Sequence, residues 1–398
     1  MRYAEKCYSV RDSIASVGDL RRKPRIRAAT IIGSILLMHW VRIGSLHGLV
    51  QTRSVGFWRG WLGGDLPSAR TIGRVASGLD EDDLRELLHG HYSRRRRNKS
   101  LKPFVGKMWP VIFDGHESTS SYLRSCPGCL QRTIKTKGGE RTQYYHRYVL
   151  AMLLHRDGYI LLDMEEQLPG EGEVTCATRL LVRLLSRYPR AFNVVVGDGL
   201  YLNSEFCRTL QERGKYFVAV LKDERRDLLV DARSLFDCET ATHFESGKTQ
   251  YECGDIEGFT TWEQLGGPVR VIRSIETTRV RRQRTGQEEQ TTSEWIWATD
   301  IPKQVAGTGF LIKIGHGRWR IENNGFNELV NEWHGDHVYK HKPRALVVFL
   351  LLLFLAYNLF HALISLNVKP QLRDRHTKRH FARLIAAEFY HLCFGGFT

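Results

Sequence analysis

Val194-Val195-Val196-Gly197-Asp198-Gly199 sets three β-branched residues in a row ahead of an acid flanked by glycines. A short continuous apolar run with turn residues behind it predicts a buried strand, here over residues 192–197, with Asp198 at its end. Val111-Ile112-Phe113-Asp114 repeats the pattern, an apolar run over 110–114 closed by an acid. Between the two, residues 148–154 and 159–163 are strand-like and flank His155-Arg156-Asp157-Gly158, a hairpin turn of the Asp-Gly kind. Leu180, Leu181, Leu184 and Leu185 share one face of a helix predicted over 175–187. After Asp198, Asn203 or Ser204 caps a helix that stops at Gly214, and 216–221 is a further strand. Strand, hairpin, helix, strand, helix, strand is the order of an α/β fold: a mixed sheet with helices on its faces.

Acids at strand ends line the ligand crevice of such sheets. A third acid, Glu322, lies in Arg318-Trp319-Arg320-Ile321-Glu322-Asn323, which reads as helix. Hard divalent cations take oxygen ligands, and two of them about 3.5–4 Å apart stabilise both the attacking and the leaving oxygen of an in-line displacement. Asp114, Asp198 and Glu322 together therefore suit a site for two Mg²⁺ or Mn²⁺ ions that transfers phosphoryl groups. The chain of 398 residues carries 59 Lys and Arg against 43 Asp and Glu, a net charge of +16. That excess favours a polyanion as partner. With 42% hydrophobic and 26% charged residues the chain folds, which excludes a disordered basic tail as the whole account.

Outside the sheet, residues 1 to about 105 read as helical. Ala28 to Val50 is largely apolar, Ser68 caps a helix starting at Ala69, and Asp80 or Glu81 opens another. The run Arg94-Arg95-Arg96-Arg97 closes this segment, either as a phosphate-gripping arm or as a solvated linker. Residues 225 to about 300 hold short strand-like pieces around the arginine-rich stretch 279–284, a β-rich insertion, and 306–395 are helical again. Ala345 to Val368 is long and apolar enough to span a bilayer. Asn358 and His361 inside it, and its place directly after the Glu322 helix, favour a buried core helix and no membrane. The first residues hold no apolar signal core, and eight cysteines show no framework spacing, so a reduced, cytoplasmic protein is expected. Cys126-Pro127-Gly128-Cys129 is the one close pair. It reads as a plain reduced turn in preference to a structural Zn²⁺ site, which would need His116 or His146 as further ligands. Trp319 and Trp333 are candidates either for base stacking or for core packing, with packing favoured.

Three blocks carry a resemblance. Arg318-Trp319-Arg320-Ile321-Glu322 resembles the Tyr-Arg-Glu-Lys signature of bacterial insertion-sequence transposases, the large DDE group with a ribonuclease-H-like catalytic core. Phe113-Asp114-Gly115 and Gly197-Asp198-Gly199-Leu200-Tyr201 resemble the first two acidic blocks of that group, and Trp297-Ala298-Thr299-Asp300 is also similar. The resemblance implies that Asp114, Asp198 and Glu322 are the catalytic triad binding two Mg²⁺ or Mn²⁺. It further implies that Arg318, one helical turn before Glu322, contacts phosphate, with Arg320 and Arg94 to Arg97 as additional DNA contacts. Two signature positions depart: Gly315 stands where the tyrosine falls and Leu329 where the lysine falls, while Glu322-Asn323-Asn324-Gly325-Phe326-Asn327 resembles a divergent branch. The expected organisation is a helical DNA-binding module over 1–105, a ribonuclease-H-like catalytic domain begun over 106–224, the β-rich insertion over 225–304, and the rest of the catalytic domain over 305–398. The expected substrate is double-stranded DNA, at element ends and target, handled on the bacterial nucleoid by a homodimer when ends are paired.

Overall fold

The computed structural model describes residues 2–54, 56–222, 226–281 and 286–394. The ten strands among them form a single sheet. They are β1 (Pro110–Ser121), β2 (Leu130–Thr136), β3 (Gly139–His155), β4 (Gly158–Glu166), β5 (Val194–Gly197), β6 (Tyr216–Val220), β7 (Thr242–Ser246), β8 (Thr249–Phe259), β9 (Val269–Arg281) and β10 (Glu288–Thr299). The spatial order is β2-β3-β1-β5-β6-β10-β9-β8-β7, with β4 also on β3. Strands β1, β5 and β6 run parallel, and β3 lies antiparallel to both β1 and β4. The set β4-β3-β1-β5-β6 is the ribonuclease-H-like core that was expected. The β-rich segment continues the same sheet, because Trp297, Ala298 and Thr299 of β10 pair with Val220, Ala219 and Val218 of β6. Residues 282–284 of the arginine-rich stretch lie outside the described residues.

Period-two alternation divides the strand side chains between two cores. Ile112, Leu150, Met152, Val196 and Val218 face one side. Val111, Phe113, Val149, Ala151, Val195 and Phe217 face the other. The N-terminal helices cover the first side: α1 (Arg2–Tyr8), α2 (Val10–Ala15), α3 (Ala28–Trp40), α4 (Leu46–Gln51), α5 (Phe57–Leu62), α6 (Ala69–Ala76) and α7 (Glu81–Arg97). Ser68 accepts from the Thr71 amide at the start of α6, and Asp80 from the amides of Asp82 and Asp83 at the start of α7, so both capping readings hold. On the second side lie α8 (Glu173–Arg187), α9 (Ser204–Gln211) and α10 (Asp227–Phe236). Asn203 caps α9 through the amides of Glu205 and Phe206.

After β10 come α11 (Thr308–Gly317), a π-helical turn (Ile321–Phe326), α12 (Asn327–Trp333), α13 (Pro343–Leu366), α14 (Pro370–Arg375) and α15 (Lys378–Phe394). Helix α13 is the long apolar segment, and it is buried in the first core against α3, α6, α7 and β4. Its two polar residues have specific partners. Asn358 Oδ1 accepts from the Leu161 amide at 3.0 Å and Nδ2 donates to the Leu161 carbonyl at 2.8 Å, which satisfies the outer edge of β4. His361 Nε2 lies 2.8 Å from Glu328 Oε1 on α12.

Candidate active site

Strand register brings the first two acids together. In the parallel pair β1–β5, Ile112 is opposite Val196. Asp114 lies two residues further along β1, and Asp198 two residues beyond Val196, one past the end of β5, so the acids follow adjacent points of two neighbouring strands. Asp198 leaves the sheet there: its Oδ1 accepts from the Leu200 amide at 2.9 Å, and its Oδ2 lies 4.0 Å from Lys222 Nζ just past β6.

The third acid arrives on the helical segment. Glu322 is the second residue of the π-helical turn, so the expected helix is present but with one wide turn at this point. Turns of this kind recur at functional sites, because the extra residue re-aims a side chain. Arg318 Nη1 sits 2.6 Å from Glu322 Oε1 and 3.8 Å from Asp114 Oδ2. A single guanidinium nitrogen thus reaches two of the three acids, and its carbon lies 4.4 Å over the Trp319 ring. Phe326, at the end of the same turn, stacks on His116 of β1 with ring centres 4.4 Å apart, which docks the turn against the strand that carries Asp114.

A fourth carboxylate belongs to the cluster and was not singled out from sequence. Glu173 opens α8, pairs with Arg147 Nη2 at 2.5 Å, and accepts from the Tyr201 hydroxyl at 3.0 Å. Its carboxylate fills the space where a side chain at position 115 would stand, so Gly115 is the residue that lets Asp114 and Glu173 approach. The helix dipole alone favours an acid in the first turn of a helix, and nothing local separates Glu173 from that class.

Electrostatics follow from this crowding. Burial is the largest influence on Asp114 and pushes its carboxyl up; Arg318 opposes it, and Glu322, Glu173 and Asp198 add to it, leaving a value of about 7. A carboxyl held neutral near pH 7 by burial among three other carboxylates marks a site short of positive charge. The donor set is all oxygen, so the residues present fit a hard dication such as Mg²⁺ or Mn²⁺.

The remaining expected contacts are placed differently. Arg320 turns away from the acids and lies over Phe104, 5.0 Å from the ring centre. The run Arg94 to Arg97 is the last turn of α7, neither a linker nor a free arm. Arg94 Nη1 donates to the Cys7 carbonyl at 2.8 Å, Arg95 is buried beside Ser100, and Arg96 covers the Trp109 ring. Arg97 is the exposed member. Trp333 is buried in the first core, as favoured, whereas Trp319 is exposed at its edge against Trp295. The signature tyrosine position has a steric reason to be glycine. A Cβ at Gly315 would stand 2.5 Å from the Trp297 indole, so that ring occupies the room a larger residue would need.

Cys126 and Cys129 lie on the loop between β1 and β2, apart from these acids. His146 of β3 and His341 converge on them, while His116 is engaged with Phe326 and does not.

A family model described as "Transposase DDE domain" matches residues 120–359. The match begins six residues after Asp114 and includes Asp198, Arg318 and Glu322. Comparison with curated proteins finds no match.

Proposed function

The chain belongs to the transposase DDE-domain family, and on that premise we propose that it cleaves DNA at the ends of a mobile element and joins those ends to target DNA, with Asp114, Asp198 and Glu322 holding two Mg²⁺ or Mn²⁺ ions. The observation that carries this reading is the meeting of the acids, with Arg318 between Asp114 and Glu322 and with Asp114 raised to about 7 by burial and by its acidic neighbours, Asp198 among them. Bound there, the ions would activate water or a 3′-hydroxyl and stabilise the departing oxygen.

The chain's own residues do the rest. Asp114 is fixed by the pairing of β1 with β3, and Asp198, one residue past β5, by the Leu200 amide that its side chain accepts from. Glu322 is held by the π-helical turn and by Phe326 on His116. Arg318 bridges Asp114 and Glu322 in the free protein; a scissile phosphate entering the site offers it oxygen acceptors in a fork geometry, which positions the phosphate and offsets its developing charge. Lys222 beside Asp198 and the exposed Arg97 supply sequence-independent contacts to the backbone. No side chain acts as nucleophile. The work is done on the nucleoid in the cytoplasm, by two copies when two ends are paired, and residues 1–105 contribute to DNA binding from the face they cover.

The test uses DNA carrying the sequences that flank the reading frame, Mg²⁺ and the full chain. Wild type should produce 3′-hydroxyl ends and joined products. Asp114→Ala should lose both by on the order of 10³-fold or more while still binding the DNA. Cutting without joined products would assign a nuclease on this fold; unchanged cutting by Asp114→Ala would remove Asp114 from the chemistry.

A further inference from the structure

We propose that Cys126, Cys129, His146 and His341 form a structural zinc site, separate from the carboxylate cluster. The four side chains each aim one ligand atom at a common point, with all four atoms within 4.8 Å of one another. Cys126 Sγ and Cys129 Sγ each lie 3.3 Å from His146 Nε2, Cys129 Sγ lies 3.4 Å from His341 Nε2, and the two sulfurs are 3.6 Å apart. A tetrahedral Zn²⁺ with bonds of about 2.3 Å to sulfur and 2.0–2.1 Å to nitrogen separates S from N by about 3.5 Å and S from S by about 3.8 Å. The observed spacings match that polyhedron. They do not match a disulfide, whose sulfurs lie about 2.0 Å apart.

The surroundings are those of a metal ligand set. Glu166 Oε1 is 2.7 Å from His146 Nδ1, which fixes the ring and turns Nε2 toward the thiols. The Cys126 amide donates to Cys129 Sγ at 3.2 Å, a contact that favours thiolate. Cys129 and His146 are buried, so the centre is closed on the protein side. With four protein ligands and none left open, the geometry is that of a structural ion. Two thiolates balance the charge of the dication.

The ion would join three distant parts of the chain. The loop after β1 supplies both cysteines, β3 supplies His146, and the segment between α12 and α13 supplies His341, 212 residues beyond Cys129. That last segment connects the helical region bearing Glu322 to the buried α13. The loop already packs on it, since a Cβ at Gly128 would stand 3.0 Å from Pro343 Cγ at the start of α13. Along β3, His146 is four residues from Leu150, the partner of Asp114, so the site lies about 13 Å along the strand from the acids. Sequence spacing exposes the cysteine pair and offers His146 beside His116; His341 is invisible there because it comes from a segment more than 200 residues away.

Metal analysis of the full-length wild-type chain, purified without added metal and dialysed against EDTA to strip weakly held ions, tests this directly. One zinc per chain is expected. Exchange for Co²⁺ should give the intense visible bands of a tetrahedral ion and a thiolate charge-transfer band. Cys129→Ser and His341→Ala should lose the zinc, Glu166→Gln should weaken it about 10–100-fold, and Asp114→Ala should keep it. The wild-type measurements need no variant to fold. Absence of zinc together with a featureless cobalt spectrum would overturn the proposal, as would zinc that survives Cys129→Ser but is lost in Asp114→Ala.

Discussion

Asp114 shows how neighbours decide the behaviour of one carboxyl. In the metal-free chain it keeps its proton up to about pH 7, where an ordinary aspartate has lost it near 3.8. A carboxyl raised in the folded state contributes stability that is fully present below the unfolded value and is lost as pH rises through the folded one. Asp114→Asn removes that penalty. The variant should exceed metal-free wild type in urea stability at pH 8, by on the order of 2–4 kcal/mol, and match it near pH 4. The same proton competes with a dication, so Mg²⁺ binding should weaken as pH falls below 7. Replacing Glu173 with Gln takes away one of the charges that raise Asp114 and should move this dependence to lower pH. Asp114 and Asp198 were legible in sequence because an apolar run before each marks a buried strand. Asp198 does follow the end of β5, whereas β1 runs on past Asp114 to Ser121, paired with β3, so the strand end expected at 114 is not there. Glu173 was not legible, because its approach depends on Gly115 and on strand-to-helix packing that no local pattern encodes. Gly315 was legible only as a departure, and the Trp297 ring supplies its cause.

At the scale of elements, α13 is the test of reading composition against packing. Its length and apolarity fit a bilayer as well as a core, and only the partners of its polar residues separate the two. Asn358 makes two hydrogen bonds to the backbone of Leu161, closing the free edge of β4. Asn358→Leu would leave that amide and carbonyl buried without partners. The expected cost is about 2–4 kcal/mol, read from the urea midpoint with the slope unchanged; a loss under about 0.5 kcal/mol would mean that β4 does not depend on this contact. His361 works on Glu328. Burial opposes ionisation of Glu328, but the His361 hydrogen bond and Lys378 outweigh it and bring the carboxyl to about 2, while burial holds the His361 imidazole below its ordinary range, so the link rests on the hydrogen bond to the ionised carboxylate. Helix α12 is thereby tied to α13, and the π-helical turn carrying Glu322 is anchored from behind. The residues around Glu322 spelled out a helix but not its wide turn, since a π-helical turn is set by packing and not by residue type.

For the whole molecule, the helical N-terminus, the sheet and α13 share one hydrophobic core, so these segments pack as neighbours on one face of the sheet. The β-rich segment was visible as strands, but its place could not be read, because the pairing of β10 with β6 joins residues about 80 positions apart. That pairing extends the sheet beyond β6, on the side next to Asp198 and Lys222. The sheet, the helical turn and α13 all converge on the same claim, that three acids distant in sequence make one dication site. Mn²⁺ binding followed by electron paramagnetic resonance on the full chain, at pH 8 and without DNA, measures it most directly. Wild type should bind Mn²⁺ at a site that Mg²⁺ displaces, and Asp114→Ala, Asp198→Ala and Glu322→Ala should each weaken that binding at least tenfold, with the zinc content unchanged. Mn²⁺ binding that is the same in wild type and in all three variants would contradict it.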